Sequence, residues 1–93
     1  MKQSLSIEIF LGANSRIVNI CIDENNLDIE TVLEELEKTE WGRKIVIKRQ
    51  QRIEIVPNMV LLINDEPVQP WQYHDQHIKS DTKITFVPFI AGG

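Results

Sequence analysis

Residues 28–40, DIETVLEELEKTE, mark the point at which the apolar pattern changes from the period of a strand to that of a helix. Their apolar side chains recur at i, i+3, i+4 and i+7 and form one helical stripe of Ile29, Val32, Leu33 and Leu36. A helix this short is marginally stable alone in water. We therefore expect it to pack this stripe on a sheet made by the flanking strands, with Leu33 and Leu36 in the core.

Both ends of this helix carry sequence signals. Asp28 is a suitable N-cap, because its carboxylate can accept hydrogen bonds from first-turn amides. Trp41-Gly42 provides a stop, with glycine just past the end. Glu34 and Lys38 form an i,i+4 pair in the favourable order. Together these signals predict one helix of about three turns.

The residues before the helix predict a β-hairpin. Apolar and polar residues alternate over residues 5–9, small turn-forming residues follow at 12–15, and residues 17–22 are a β-branched run. In the second strand, alternation puts Cys21 on the face opposite Ile20. We interpret Cys21 as a small filler residue, because its sequence neighbours offer no base or metal ligand.

Strands also follow the helix. Apolar positions alternate over residues 45–55 with an interruption at Gln50-Gln51, which predicts an irregular hairpin whose turn has no glycine. Residues 59–63 predict a buried strand, ended by turn residues and a proline at 64–67.

The last third of the chain contains a polar connection and a final strand. Residues 70–81 are polar, and we predict that they are pinned to the core by three apolar anchors, Trp71, Tyr73 and Ile78. The final strand, residues 83–87, places Ile84 and Phe86 on one face. Pro88 then stops the ladder, because proline has no N–H to donate.

Length and charge exclude several classes of protein. With 93 residues the chain is expected to form one compact domain, and its net charge of -4 argues against general nucleic-acid binding. No apolar stretch approaches the roughly 20 residues of a transmembrane helix, and we expect no membrane partner. The lone Cys21 and the lack of a leader pattern predict a cytoplasmic protein.

The charges are unevenly distributed. Acidic residues concentrate in the segment 23–40, and a basic cluster follows at once, formed by Arg43, Lys44, Lys48, Arg49 and Arg52. The simplest interpretation of each is a solvated face of a helix or a hairpin.

The sequence offers no catalytic or metal-binding constellation. No nucleophile stands beside a base, and no glycine-rich loop could hold a phosphate. His74 and His77 stand three apart, but a zinc site would need further ligands held on a rigid element. We therefore predict neither an enzyme nor a metal site.

The chain ends in residues 89–93, FIAGG, which we predict to be a flexible reactive tail beyond a domain of residues 1–88. Gly92 and Gly93 directly follow a strand and a proline rather than a linker. Because glycine lacks a Cβ, such a tail can carry its carboxylate through a narrow channel in another protein. A carboxylate is a poor electrophile and must first become an acyl-adenylate. The activating partner, not this chain, would then bind ATP and Mg²⁺.

The sequence has a family resemblance that three stretches carry: FVPFIAGG at 86–93, LLIN at 61–64 and SDTKI at 80–84. It resembles the small subunit of molybdopterin synthase and, more distantly, the thiamine sulfur carrier and the archaeal ubiquitin-like modifiers. The resemblance spans nearly the whole chain. It implies a β-grasp (ubiquitin-like) fold of the α+β class, in which a mixed sheet packs on one helix and the first and last strands are parallel neighbours. The chain differs from the family's turns at Asn64-Asp65-Glu66, often Asn-Gly, and at Ser80-Asp81, usually Gly-Asp.

The resemblance also implies an activity. An adenylyltransferase related to ubiquitin-activating enzymes adenylates Gly93, and a persulfide-bearing sulfurtransferase replaces AMP with sulfur. The resulting thiocarboxylate donates sulfur, with molybdopterin (molybdenum cofactor) biosynthesis and a synthase large subunit as the expected destination. Gly92 and Ala91 would form the slim approach, and partner docking would involve Phe86, Pro88, Phe89 and Ile90.

Two other functions remain open at this point. In the first, the activated carboxylate is passed to lysines of target proteins, and the chain becomes a covalent modifier. In the second, the chain is a β-grasp binding module whose terminus never reacts. The chain itself is not the enzyme in either.

Overall fold

The structure is a computed structural model that describes residues 2–23, 25, 27–79 and 81–88. Seven strands and one α-helix are present in these ranges: β1 Lys2–Leu11, β2 Asn14–Asp23, α1 Ile29–Glu37, β3 Val46–Arg49, β4 Arg52–Ile55, β5 Met59–Ile63, β6 Glu66–Val68 and β7 Ile84–Pro88. The described ranges also include short 3-10 helices at Gly42–Lys44 and Pro70–Asp75.

Five strands form one mixed sheet in the order β2-β1-β7-β5-β6. β1 and β7 are parallel, whereas the other neighbours are antiparallel. The inward side chains of this sheet share one core with the apolar stripe of α1. A mixed sheet packed on one helix, with the first and last strands parallel, confirms the predicted α+β class and β-grasp arrangement.

The first hairpin is longer than predicted. β1 and β2 pair without interruption from Lys2↔Asp23 to Leu11↔Asn14, around a tight turn at Gly12-Ala13 in which Gly12 has φ 64°. Polar residues at the ends of β1 and β2 also form ladder pairs, although the sequence there does not alternate between apolar and polar residues. The interpretation of Cys21 as a filler was wrong, because its side chain is exposed on the outer face.

Helix α1 confirms the predicted start and stripe. Asp28 Oδ1 accepts a 2.8 Å hydrogen bond from the Thr31 N–H, and all four stripe residues are buried. The predicted ion pair was wrong in its partner, because Lys38 Nζ lies 2.6 Å from Glu35 Oε2 rather than on Glu34. Lys38 is the C-cap residue, and its backbone N–H donates to Glu35 O, which brings Lys38 close to the residue three positions before it. The side-chain hydrogen bond that Lys38 Nζ donates to Glu35 Oε2 raises the pKa of the Lys38 ammonium.

A compact junction follows α1. Thr39 Oγ1 donates to Leu36 O at 2.7 Å and accepts from the Gly42 N–H at 2.9 Å. Gly42 is buried here, and a Cβ on it would lie 1.8 Å from Leu36 O. Only glycine fits this close backbone approach, which directs the chain toward the second hairpin.

The second hairpin, β3–β4, is a separate two-stranded sheet. Its strands pair from Val46↔Ile55 to Arg49↔Arg52 around Gln50-Gln51. The prediction of a hairpin without a turn glycine is confirmed, and Gln50 takes the left-handed conformation itself with φ 51°.

β5 ends at Ile63 as predicted, but the turn that follows is shorter than predicted. Only Asn64 and Asp65 form the turn, both with positive φ (51° and 68°), so they do what an Asn-Gly pair does in a tight hairpin. Pro67 lies inside β6 rather than ending the strand pair. The edge position of β6 tolerates a residue without an N–H.

The connection after β6 has two of the three predicted anchors. Ile78 is buried and Tyr73 is half-buried, but Trp71 is 76% exposed, so its prediction as an anchor was wrong. In a 3-10 helix of three residues per turn, Trp71 and Tyr73 point in different directions. Only Tyr73 can therefore face the core.

Candidate site at the end of the last strand

The predicted reactive tail follows β7, so this strand positions the site. β7 lies at the centre of the sheet, parallel to β1 on one side and antiparallel to β5 on the other. Pro88, the last residue of β7, lies opposite Met59. The chain therefore reaches its last five residues along a strand that is held on both sides.

The start of β7 is fixed as well. The Asn64 N–H donates to Lys83 O at 2.8 Å, and the Lys83 N–H donates to Asn64 Oδ1 at 3.0 Å. Lys83 Nζ also lies 2.9 Å from Asp65 Oδ1, and this hydrogen bond raises the pKa of the Lys83 ammonium. The β5–β6 turn thus clamps the entry of β7 through backbone, amide and ionic contacts.

Phe86 belongs to the core and not to the docking surface predicted for it. Its side chain is 0% exposed among the other inward residues of the sheet. Alternation along β7 sends Ile84 and Phe86 toward α1. Phe86 therefore packs in the core under β7 and has no exposed surface that could contact a partner.

The opposite side of the sheet carries an apolar surface, the outer patch, formed by Phe10, Val60, Leu62 and Val87. All four side chains are partly exposed. Val87 lies opposite Val60, and Leu62 lies opposite Thr85. This patch was not predicted from the sequence, although MVLLI at 59–63 is apolar at every position, which is typical of a strand covered on both faces.

Thr85 is a buried polar residue on the same outer side. Its exposure is low because it lies between Glu8 and Leu62, whose side chains are longer. Among the described residues its Oγ1 has no hydrogen-bond partner. A buried hydroxyl without a partner destabilises a fold.

The other predicted site residues lie outside the part of the chain that the structure describes. They are Phe89, Ile90, Ala91, Gly92 and Gly93. Their roles stay predictions, as does the division into a domain of residues 1–88 and a tail. Pro88 is described, and it is where β7 ends.

A concave surface, the groove, lies between α1, the second hairpin and the β5–β6 arm. Its volume is about 970 Å³, and it combines an apolar floor with the acidic Glu30 and Glu34 of the helix. Tyr73 lines it, and partial burial raises the pKa of its hydroxyl. The groove contains no nucleophile beside a base.

The described ranges contain neither a metal-binding cluster nor a membrane-spanning helix. No three His, Cys, Asp or Glu side chains within them come together as ligands for a metal ion. None of the helices within them has the length and apolar character needed to span a bilayer.

Comparison with known proteins supports the fold and gives the family. The solution structure of the Haloferax volcanii HVO 2177 protein is similar to this chain, with a TM-score of 0.65 and 19% sequence identity, over 99% of this chain and 88% of that one. None of the curated proteins compared with the chain matches it significantly. The family model of the ThiS family matches residues 9–93. The chain therefore belongs to the ThiS family, a family of ubiquitin-like sulfur carriers.

Proposed function

We propose that the carboxylate of Gly93 is adenylated and then converted to a thiocarboxylate, which donates its sulfur. The observation that carries this proposal is the extent of the family match, which runs to residue 93 and so includes Gly92-Gly93. The position of β7 supports it, because a central strand ending at Pro88 presents the residues beyond it from a fixed point.

The chemistry requires two steps. A Gly93 carboxylate oxygen attacks the α-phosphorus of ATP, pyrophosphate leaves, and an acyl-adenylate forms. A sulfur nucleophile then attacks the carbonyl carbon, the C–O bond to AMP breaks and a C–S bond forms. With hydrosulfide as the nucleophile, the products are the thiocarboxylate, AMP and a proton.

The carrier contributes its tail and its surface, and partner proteins contribute the catalysis. We place ATP and Mg²⁺ on an adenylyltransferase related to ubiquitin-activating enzymes, because the sequence has no phosphate-cradling loop. The outer patch is the surface that we propose docks this enzyme, since it is apolar and lies on the strands that lead to Pro88.

The finer assignment is molybdopterin biosynthesis, in the reducing cytoplasm that a lone cysteine favours. It rests on the resemblance of FVPFIAGG at 86–93 to the small subunit of molybdopterin synthase. The acceptor of the sulfur would then be the precursor held by a synthase large subunit.

Intact mass spectrometry tests the chemistry. The chain is incubated with ATP, Mg²⁺, hydrosulfide and the adenylyltransferase of its host, and a variant lacking Gly92-Gly93 is the control. We expect a mass gain equal to one oxygen-to-sulfur exchange, mapped to Gly93 and missing from the control. Lysine adducts in place of this exchange would support the protein modifier. An unchanged mass with an active partner would support the binding module.

A further inference from the structure

The basic cluster has no role in the chemistry proposed above. Half of the ten Lys and Arg residues lie within residues 43–52, a segment that contains no acidic residue, although the whole chain has a net charge of -4. All five basic side chains are exposed. Three of them, Lys48, Arg49 and Arg52, belong to the second hairpin.

Arg49 and Arg52 lie directly opposite each other at the tip of this hairpin. Opposite residues of an antiparallel pair point to the same face, so the two guanidinium groups share one surface. This surface is a shallow recess, lined by Arg49, Gln50, Gln51, Arg52 and Glu54. Two guanidinium forks side by side suit planar carboxylates, which each can bind with two hydrogen bonds.

Within the chain, this arrangement is unfavourable. Like charges directly opposite in a hairpin repel each other. In the described part of the chain neither guanidinium forms an ion pair, and Gln50 adopts a left-handed conformation that glycine would adopt more easily. The two opposed charges are therefore not explained by contacts within the described part of the chain, and a partner of opposite charge would relieve their repulsion.

The hairpin faces a different side from the outer patch. β3 and β4 both contact α1, which covers the inner face of the five-stranded sheet, whereas the outer patch lies on the opposite face. Of the outer patch, only Val60 also lines the groove that Arg52 lines, so a protein bound over Phe10, Leu62 and Val87 would leave the hairpin tip free. An acyl-adenylate is labile in water, so sulfur has to arrive while the carrier is still on its activating enzyme.

We propose that Arg49 and Arg52 dock an acidic patch of the protein that supplies sulfur, while the adenylyltransferase holds the outer patch. This inference rests on the proposed function. A nucleic acid fits less well, because Glu54 lines the same recess and Glu30 and Glu34 border the adjoining groove. An extended polyanion would meet these carboxylates, whereas a compact acidic patch would not.

The test compares two charge-reversed variants, Arg49→Glu/Arg52→Glu and the control Lys2→Glu/Lys79→Glu. Both change the net charge equally, and Lys2 and Lys79 are exposed elsewhere on the chain. With the persulfide-bearing sulfurtransferase as donor, the outer persulfide sulfur displaces AMP, and an added thiol reductant then cleaves the S–S bond of the resulting acyl disulfide to release the thiocarboxylate. We expect the first variant to form thiocarboxylate at least about tenfold more slowly, as when paired interface charges are lost. Pyrophosphate release, which reports adenylation, should be unchanged. With free hydrosulfide as donor, both variants should react at the wild-type rate.

Three outcomes would overturn the inference: an unchanged rate with the sulfurtransferase, an equal loss in the control, or a loss that persists with hydrosulfide. Direct binding of the chain to the sulfurtransferase provides a readout that does not need the reaction. Its Kd should rise about tenfold in the first variant only, and the wild-type affinity should weaken with salt. A wild-type chain that binds the sulfurtransferase through the arginines but never gains sulfur would refute the proposed chemistry and leave the docking surface standing.

A neutral variant, Arg49→Gln/Arg52→Gln, separates binding from folding. It removes the repulsion across the hairpin, so its denaturation midpoint should equal or exceed that of the wild type. Its Kd for the sulfurtransferase should nevertheless rise. A lower midpoint together with unchanged binding would show that the arginines serve the fold.

Discussion

The five-stranded sheet with α1 and the β3–β4 hairpin both consist largely of β-strands, but they differ in how much of each is buried. In the sheet, inward positions from four strands and the helix stripe are fully buried in one core. In the hairpin, only Val46 is buried, the strands are four residues long, and two arginines face each other at the tip. The inward side chains of the sheet are buried in the core, whereas all side chains of the hairpin strands except Val46 stay at least partly exposed.

This difference assigns separate tasks to the two regions. In the proposed function, the sheet holds β7 so that the residues after Pro88 are presented from a fixed place. The hairpin contributes little to that position, so its exposed side chains can be used for recognition. Substitutions in the sheet should therefore change stability first, and substitutions at the hairpin tip should change binding first.

The largest effect is expected from Phe86→Ala in the centre of the sheet. Because Phe86 is completely buried, its truncation should lower the free energy of unfolding by about 3–5 kcal/mol. Ile53→Ala in the hairpin is the matched control, and it should lower the same quantity by only about 1 kcal/mol because Ile53 is half-buried. Urea denaturation measures both. Equal losses would mean that the hairpin is an integral part of the core.

The junction between the two regions gives the next effect. Gly42→Ala would place a Cβ 1.8 Å from Leu36 O, and backbone cannot yield as a flexible side chain would. Such overpacking should lower the free energy of unfolding by about 1–3 kcal/mol. Hydrogen exchange should show the strongest loss of protection from residue 42 through β3. A fully stable variant would show that the junction can open without strain.

Much of this architecture could be predicted from sequence, because each strand and the helix bury one face. The stripe of α1, the Asp28 cap and the glycine-free hairpin are as expected from the residues themselves. The parallel β1–β7 pair is as the family resemblance implied. The predictions that were wrong depend on tertiary contacts, which the periodicity of apolar residues does not reveal. Whether Trp71 reached the core depended on how the 3-10 helix turned, and Pro67 joined a strand because β6 lies at an edge.

For the candidate site, the chemistry predicted from the sequence stays a proposal, and the surface was predicted wrongly at Phe86. The terminal glycines could be singled out because only a residue without a Cβ suits a threaded carboxylate. Phe86 was assigned to docking because it stands near the tail in sequence, but alternation along β7 turns it inward. By the same alternation, Val87 and Val60 lie in the outer patch. Because residues 59–63 are apolar at every position, the sequence does not distinguish outward residues such as Val60 from core residues.

Thr85→Val tests the outer side of the sheet and should act in the opposite direction. The substitution keeps the shape of the side chain and removes a buried hydroxyl that has no partner among the described residues. We expect the free energy of unfolding to rise by about 1 kcal/mol. Thr85→Ser, which keeps the hydroxyl, is the control and should not be stabilised. A loss of stability in the valine variant would reveal a partner for the hydroxyl, such as a buried water.

The smallest effect concerns Tyr73, which lines the groove between the two regions. Burial raises the pKa of its hydroxyl above the ordinary value of 10.0, because the phenolate loses solvation there. The unfolded chain then releases this proton more readily, so stability should fall as the pH rises through the unfolded pKa and toward the folded one. Tyr73→Phe should lessen this alkaline loss and leave stability near pH 7 almost unchanged. Since Tyr73 is the only tyrosine, the tyrosinate absorbance of the folded protein measures its pKa directly. An unshifted pKa would mean that the groove is as open as solvent at this point, and that the hairpin does not close over the sheet.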